Sequence, residues 1–99
     1  MNIEGLKIFL AVAETGSFSE AARRLFISHS TVSRAVAALE ERVGARLVSR
    51  RGNAVFGLTP AGERLKARGR ELLALTDEII NELRELEKVR LGDKNSEHN

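Results

Sequence analysis

The stretch from Ser17 to Val43 constrains the fold more than any other part of the chain. It reads SFSEAARRLFISHSTVSRAVAALEERV and predicts two helices joined by a tight turn. Ser17 followed three residues later by Glu20 is typical of a reciprocal capping box at the start of the first helix. That helix carries a small apolar inner face, formed by Ala21, Ala22 and Leu25, which would let a second helix cross it closely. Ser28 is the next cap candidate and predicts the start of the second helix.

The second predicted helix has two different faces. One is a buried stripe with helical spacing, formed by Val32, Val36, Leu39 and Val43. The other is polar or small and lies mostly in the first two turns, with His29, Ser30, Ser33, Arg34 and Ala37. Short hydrogen-bonding side chains and an arginine near the N-terminal end are what a helix needs to read the major groove of DNA. An ordinary amphipathic helix with a solvated face is the alternative.

A third helix is predicted before this pair, over residues 3–14. Its inward positions would be Leu6, Phe9, Leu10 and Ala13, which supply a wall that a two-helix motif cannot supply for itself. Gly16 suits the left-handed cap that ends this helix. Gly44 is expected to end the last helix of the pair.

A small β-hairpin, or wing, is predicted after Gly44. Residues 46–50 and 54–58 suit two short strands, and Gly52 and Asn53 suit the turn between them. Arg50 and Arg51 at the base and tip could enter a neighbouring minor groove or bind phosphates. The alternative is that these arginines only solubilise a surface turn.

A long helix is predicted from Pro60, capped by Thr59, to about Leu91. An apolar stripe with seven-residue spacing follows it, through Leu65, Leu72, Leu75, Ile79, Leu83 and Leu86. About 30 residues of helix would extend about 45 Å, which is too long to pack fully on so small a domain. We therefore expect the stripe to form a dimer interface with a second copy, and the alternative is that the helix folds back on its own domain. The expected organisation is a DNA-binding domain over residues 1–59, a dimerisation helix over 60–91 and a disordered tail over 92–99.

Charge is distributed unevenly between the two ends of the chain. Residues 1–70 contain 12 Lys and Arg against 6 Asp and Glu, whereas residues 71–99 contain 4 against 8. A basic front part suits a protein that binds a polyanion, although many soluble domains are mildly basic as well. No apolar run approaches the length of a membrane span, and no secretory signal is evident, so the expected location is the cytoplasm.

Catalysis is not expected. The chain has no Cys and only two histidines, His29 and His98, and no serine nucleophile can be matched to a base. Two distant histidines do not make a metal site, which usually needs three or more protein ligands. No catalytic residues, cofactor or metal are therefore predicted.

Taken in order, these motifs resemble the N-terminal DNA-binding domain of LysR-type transcriptional regulators over nearly all of residues 3–91. The resemblance rests on Leu6, Phe9, Val12-Ala13-Glu14, Gly16-Ser17-Phe18, Ala21-Ala22, Leu25, Ser28, Val32-Ser33-Arg34, Leu39-Glu40, Gly44, Leu47, Arg50 and Leu58-Thr59-Pro60-Ala61-Gly62. It implies a mainly α winged helix-turn-helix, with three helices and a hairpin wing, followed by a long helix that pairs antiparallel in a dimer. The implied DNA-binding residues are Ser17, Ser28, His29, Ser30, Thr31, Ser33, Arg34, Arg50, Arg51 and Asn53.

The resemblance also implies a function and partners. Such regulators bind double-stranded DNA at interrupted dyad sites, as dimers or as tetramers formed from two dimers. Many respond to a small-molecule effector, which is expected here only if a C-terminal effector domain exists. Because that domain does not follow the long helix, the alternative function is a protein-interaction or heterodimerising modulator. His29 replaces a common Gln and Val48 a common Phe, which changes the expected base contact and the packing under the wing.

Overall fold

The computed structural model describes residues 1–51 and 54–97, and its element order matches the predicted fold class. Three helices come first, then a two-stranded antiparallel hairpin, then one long helix. The elements are α1 (Ile3–Thr15), α2 (Phe18–Leu25), α3 (His29–Val43), β1 (Val48–Arg51), β2 (Ala54–Leu58) and α4 (Pro60–Glu97). Within these described ranges, no helix combines the length and the apolar character needed to cross a membrane.

Caps set the limits of the first helices, largely as predicted. Gly16 ends α1 with a left-handed φ of 71°, which a residue without a β-carbon adopts at little cost. Ser17 begins α2, and its hydroxyl accepts the amide N–H of Glu20 at 3.2 Å. The reciprocal half of the predicted capping box is wrong. The amide of Ser17 donates to the hydroxyl of Thr15 instead, and the Glu20 carboxylate pairs with Arg23 at 2.6 Å.

The hydrophobic core lies where α1, α2, α3 and the start of the wing meet. Its largest fully buried side chains are Phe9, Leu6, Leu47, Val12, Val32 and Val36. The predicted stripe of α3 is buried at Val32, Val36 and Leu39, but Val43 is 42 % exposed. Val43 is the last residue of α3, and the chain turns away beside it at Gly44, so the first helices no longer cover that position.

The wing is a short hairpin with one irregularity. Val48 pairs with Leu58, and Ser49 with Gly57, before the register shifts by one residue. The first strand begins at Val48 rather than at the expected residue 46, because the preceding amide of Leu47 donates to the side chain of Glu40. Val48 itself is buried.

Thr59 joins the end of the wing to the start of α4. Its hydroxyl accepts the amide of Gly62 at 3.0 Å and donates to the carbonyl of Arg46 at 2.5 Å. Its own amide donates to the carbonyl of Leu47 at 3.1 Å. The predicted threonine cap is therefore confirmed, and the same side chain also closes the base of the hairpin.

The first half of α4 packs against the domain, and Leu65 takes part in this contact. Leu65 is half-buried and packs on the hydrophobic core together with Ala61 and Leu73. Its place in a dimer interface stays a prediction. Gly69 lies against the buried Leu6 of α1. Glu14 of α1 also pairs with Arg24 of α2 at 2.9 Å and with Arg70 of α4 at 3.3 Å. These contacts fix the direction in which α4 leaves the domain.

The second half of α4 projects away from the domain, and the longest dimension of the molecule is 67 Å. The helix continues to Glu97, beyond the expected end near Leu91, so residues 92–97 of the predicted disordered tail are helical. Gly92 costs a helix only about 1 kcal/mol and, unlike proline, keeps its backbone donor. Nothing in the sequence after Leu91 therefore stops the helix.

Candidate nucleic-acid interface

The N-terminal end of α3 is held by a cluster of hydroxyl groups. Ser28 caps the helix by accepting the amide of Thr31 at 3.1 Å. Its hydroxyl also lies 2.7 Å from the hydroxyl of Thr31 and 3.2 Å from that of Ser30. Ser28 and Thr31, both predicted to contact DNA, are thus partly engaged in the cap, whereas Ser30 is exposed beside them. A capped helix N-terminus with exposed hydroxyls can donate hydrogen bonds to phosphates or bases.

Arg34 lies on the exposed face of α3, just over one turn after Ser30, and Ser33 next to it is half-buried. Within the described parts of the chain, Arg34 has no hydrogen bond or ion pair. By contrast, the cations in the last turn of α2 are occupied, because Arg23 pairs with Glu20 and Arg24 pairs with Glu14. Arg34 is therefore the cation of the first two turns of α3 that can bind a ligand without breaking a pair.

Glu40 is a buried carboxylate that ties the wing to α3, and sequence reasoning gave it no role at the site. It is 8 % exposed. One of its oxygens accepts the amides of Leu47 at 2.8 Å and Val48 at 3.4 Å, and the other lies 3.5 Å from the guanidinium of Arg50. The signal that could have identified it is its spacing, since Glu40 follows the buried Val36 by four residues.

Arg50 is more enclosed than a solvated wing arginine. Its side chain is 29 % exposed and pairs with Glu40. The carbon at the centre of its guanidinium lies 5.2 Å from the centroid of the Phe18 ring, within the range of a cation–π contact. Direct contact between Arg50 and DNA remains a prediction.

Phe18, at the start of α2, also contacts the first residue of α3. The rings of Phe18 and His29 are 5.8 Å apart with an interplanar angle of 77°, which is an edge-to-face arrangement. Phe18 is buried, while His29 is exposed. The structure thus brings together the predicted contact residues His29 and Arg50 through a residue that carried no predicted role.

The remaining predicted contacts lie around this centre. The hydroxyl of Ser17 caps α2, and Arg51 is exposed at the end of β1. Asn53 lies outside the described residues. In the described part of the chain, no group of three or more His, Cys, Asp or Glu side chains is arranged to hold a metal ion.

The projecting half of α4 presents an uncovered apolar stripe. Its large exposed side chains are Leu72, Leu75, Ile79, Ile80, Leu83, Leu86 and Val89, of which Leu86 is 66 % exposed. Ion pairs lie along the same half, between Lys88 and Glu85 and between Arg90 and Glu87. The hydrogen bond from Arg90 lowers the pKa of the Glu87 carboxyl. Five of the six residues predicted for the dimer interface lie in this stripe, Leu65 being the exception.

A helix pair with a polar second helix, a following hairpin and a supporting first helix together define a winged helix-turn-helix protein. The model for the bacterial regulatory helix-turn-helix proteins of the lysR family matches residues 3–63. The chain belongs to this family, as its sequence resemblance indicated.

Individual relatives agree with this assignment. The chain is 48 % identical over 85 residues to the probable HTH-type transcriptional regulator LrrA of Synechococcus elongatus, and the match covers 84 % of this chain and 28 % of that protein. The structure is similar to a complex of BenM_DBD with benA site 1 DNA, with a TM-score of 0.81, 31 % identity and coverage of 87 % of this chain and 99 % of that one. It is also similar to the CbnR_DBD–DNA complex, with a TM-score of 0.80, 34 % identity and coverage of 85 % and 95 %.

Proposed function

We propose that this chain binds double-stranded DNA in a sequence-specific manner and thereby regulates transcription. The observation that carries the proposal is the exposed N-terminal part of α3, where Ser30 and Arg34 lie about one helical turn apart on the same face. The similarity to two structures that contain DNA supports it. In this proposal α3 enters the major groove, and the wing lies near the backbone or minor groove.

The residues proposed to contact DNA differ in what they can contribute. Arg34 can bind guanine in bidentate fashion or hold a phosphate, and the exposed imidazole of His29 is proposed to hydrogen-bond a base edge. Ser17, Ser28, Ser30, Thr31 and Ser33 can donate hydroxyl hydrogens to phosphates or base edges. Arg50, Arg51 and Asn53 are proposed to act from the wing.

We further propose that the chain acts as a homodimer through α4. An apolar stripe of this length on a projecting helix is expected to be buried against another stripe, and antiparallel pairing with a second copy is the simplest arrangement. A dimer with two-fold symmetry would bind a dyad site whose two halves are separated by a spacer, and two dimers could bind together as a tetramer. A regulator of this kind acts on the bacterial chromosome, and hence in the cytoplasm.

The chain spans about 28 % of the length of its relative LrrA. No small-molecule effector is proposed for the described residues. A catalytic activity is not proposed.

The experiment that tests the proposed function is a binding titration by fluorescence anisotropy, repeated at several salt concentrations. The chain is first used to select sites from a library of randomised dyads, and the selected duplex is then compared with random duplex. A steep decrease of affinity with salt, together with a clear preference for the selected duplex, is the expected result. Absence of binding at moderate salt would contradict the proposal and would favour the protein-interaction alternative, which predicts a heterodimer with a longer relative.

A further inference from the structure

Phe18 is the meeting point of the three elements that surround the proposed DNA-binding face. It belongs to α2, its ring contacts His29 at the start of α3, and the guanidinium of Arg50 on β1 lies over the same ring. Phe18 is 6 % exposed, so the core encloses most of the ring. Both partners are exposed enough to reach a ligand.

Each contact restrains an otherwise flexible side chain. The guanidinium of Arg50 is held between the Phe18 ring at 5.2 Å and the Glu40 carboxylate at 3.5 Å. Because a guanidinium is planar, contacts with both a ring and a carboxylate limit its orientation more than either contact alone. His29 is the first residue of α3, where a side chain without contacts would sample several rotamers, and the edge-to-face contact selects among them.

We propose that Phe18 is a positioning residue that sets His29 and Arg50 relative to each other, so that the base contact of α3 and the wing contact depend on one another. The inference rests on the proposed DNA binding. Since both side chains contact the same ring, a substitution that removes one contact changes the ring orientation on which the other contact depends. The preference for the base that His29 contacts and the contribution of Arg50 to affinity are therefore coupled.

The test is a double-mutant cycle measured by anisotropy on the selected duplex, with His29→Gln and Arg50→Lys alone and combined. Arg50→Lys keeps the charge beside Glu40 but removes the planar group that lies over the ring. In the otherwise unchanged chain, the combined loss of affinity is expected to differ from the product of the separate losses by about threefold or more. The same cycle in a Phe18→Leu background is expected to give a factor of about one.

A matched control separates positioning from stability. Phe9→Leu makes the same substitution in the same core, but Phe9 lies on α1, whereas the ring contacts of His29 and Arg50 are both with Phe18. It is expected to lower the melting temperature and to leave both the coupling and the base preference unchanged. If Phe18→Leu does not fold, Phe18→Met supplies a different apolar side chain that also lacks the ring.

The outcomes are distinguishable. Coupling that is present in the Phe9→Leu chain and lost in the Phe18→Leu or Phe18→Met chain supports the inference. Additive effects in the unchanged chain, or coupling that persists without the ring, overturn it while leaving DNA binding intact. If the unchanged chain shows no preference among duplexes, the proposed function itself fails, and the inference fails with it.

Discussion

The α-carbon of Gly62 on α4 lies so close to the carbonyl oxygen of Leu47 that a β-carbon at position 62 would collide with that oxygen. The close approach lets α4 start directly against the base of the wing, where Thr59 binds Arg46 and Leu47. The geometry explains why a glycine occupies a helical position, where alanine would otherwise be favoured by about 1 kcal/mol.

Gly62→Ala is expected to destabilise the chain by about 1–3 kcal/mol, because the clash is with backbone that cannot move aside. The measurement is urea denaturation followed by circular dichroism, at one protein concentration because dimerisation would add to stability. Gly5→Ala is the matched control, since a β-carbon at that helical position would meet nothing within 4 Å. It should be neutral or slightly stabilising, and an equal loss in both variants would show that the clash is not the cause.

Glu40→Ala is expected to cost about 3 kcal/mol of stability, because it leaves the amides of Leu47 and Val48 without their acceptor and removes the partner of Arg50. Glu40→Gln keeps a carbonyl acceptor and should lose less. The exposed neighbour Glu41, changed to Ala, is the control and should be within about 0.5 kcal/mol of the unchanged chain. Denaturation curves that rank Glu41→Ala as the most harmful would contradict the assignment of Glu40.

Arg34→Ala is expected to weaken binding to the selected duplex by about 1–3 kcal/mol. The reason is that Arg34 is exposed on α3 and makes no ion pair with any of the described residues. The affinity is measured by anisotropy. Arg42→Ala removes the same charge from the last turn of the same helix and serves as the control. Equal losses would mean that only total charge matters, and an unchanged affinity for Arg34→Ala would exclude its proposed contact.

Ile79→Asp is expected to convert the proposed dimer to monomers, because it would place an unpaired charge in the proposed apolar interface. Ile79 is 45 % exposed within one chain and lies in the middle of the uncovered stripe. Sedimentation velocity measures the result directly. Asn81→Asp adds the same charge on nearly the opposite face of α4 and should remain dimeric. An Ile79→Asp chain that still sediments as a dimer would show that the interface lies elsewhere.

Phe26→Asn is expected to stabilise the chain by about 0.5–1 kcal/mol. Phe26 ends α2 with a left-handed φ of 58°, which is unfavourable for a bulky residue and better tolerated by Asn. The side chain is 94 % exposed, so little packing is lost. Phe26→Leu keeps the strain and is the control, with no gain expected in the melting temperature. A lower stability for Phe26→Asn would show that the phenyl ring has a packing role.

The helix limits were predictable because the chain marks them with local chemistry. Three hydroxyl side chains each cap a helix by accepting an amide three residues later, namely Ser17, Ser28 and Thr59. Two helices end at a glycine with positive φ, Gly16 and Gly44. Both kinds of signal involve only residues close in sequence. The ordered motifs added the wing and its place after α3. The end of α4 was missed because no proline marks a stop after Leu91.

The tertiary roles of single side chains were less predictable. Leu65 follows the same seven-residue spacing as Leu72 and Ile79, and spacing alone does not tell which partner buries a stripe. Glu40 was given no role at the site, because its burial depends on contacts with the distant Leu47, Val48 and Arg50. The contacts of Arg50 likewise join residues from distant segments.

Because α4 is one uninterrupted helix, the rotation of its apolar stripe relative to the domain is fixed. The domain packs against α4 near Leu65 and Gly69, and the uncovered apolar stripe begins near Leu72. The helix is continuous between these two segments. One inserted residue between these segments would rotate the stripe by about 100° relative to the domain and move it by about 1.5 Å. In the proposed dimer built on that stripe, such an insertion would turn each α3 away from its half-site. The length of α4 would then set the spacing between the two halves of the dyad.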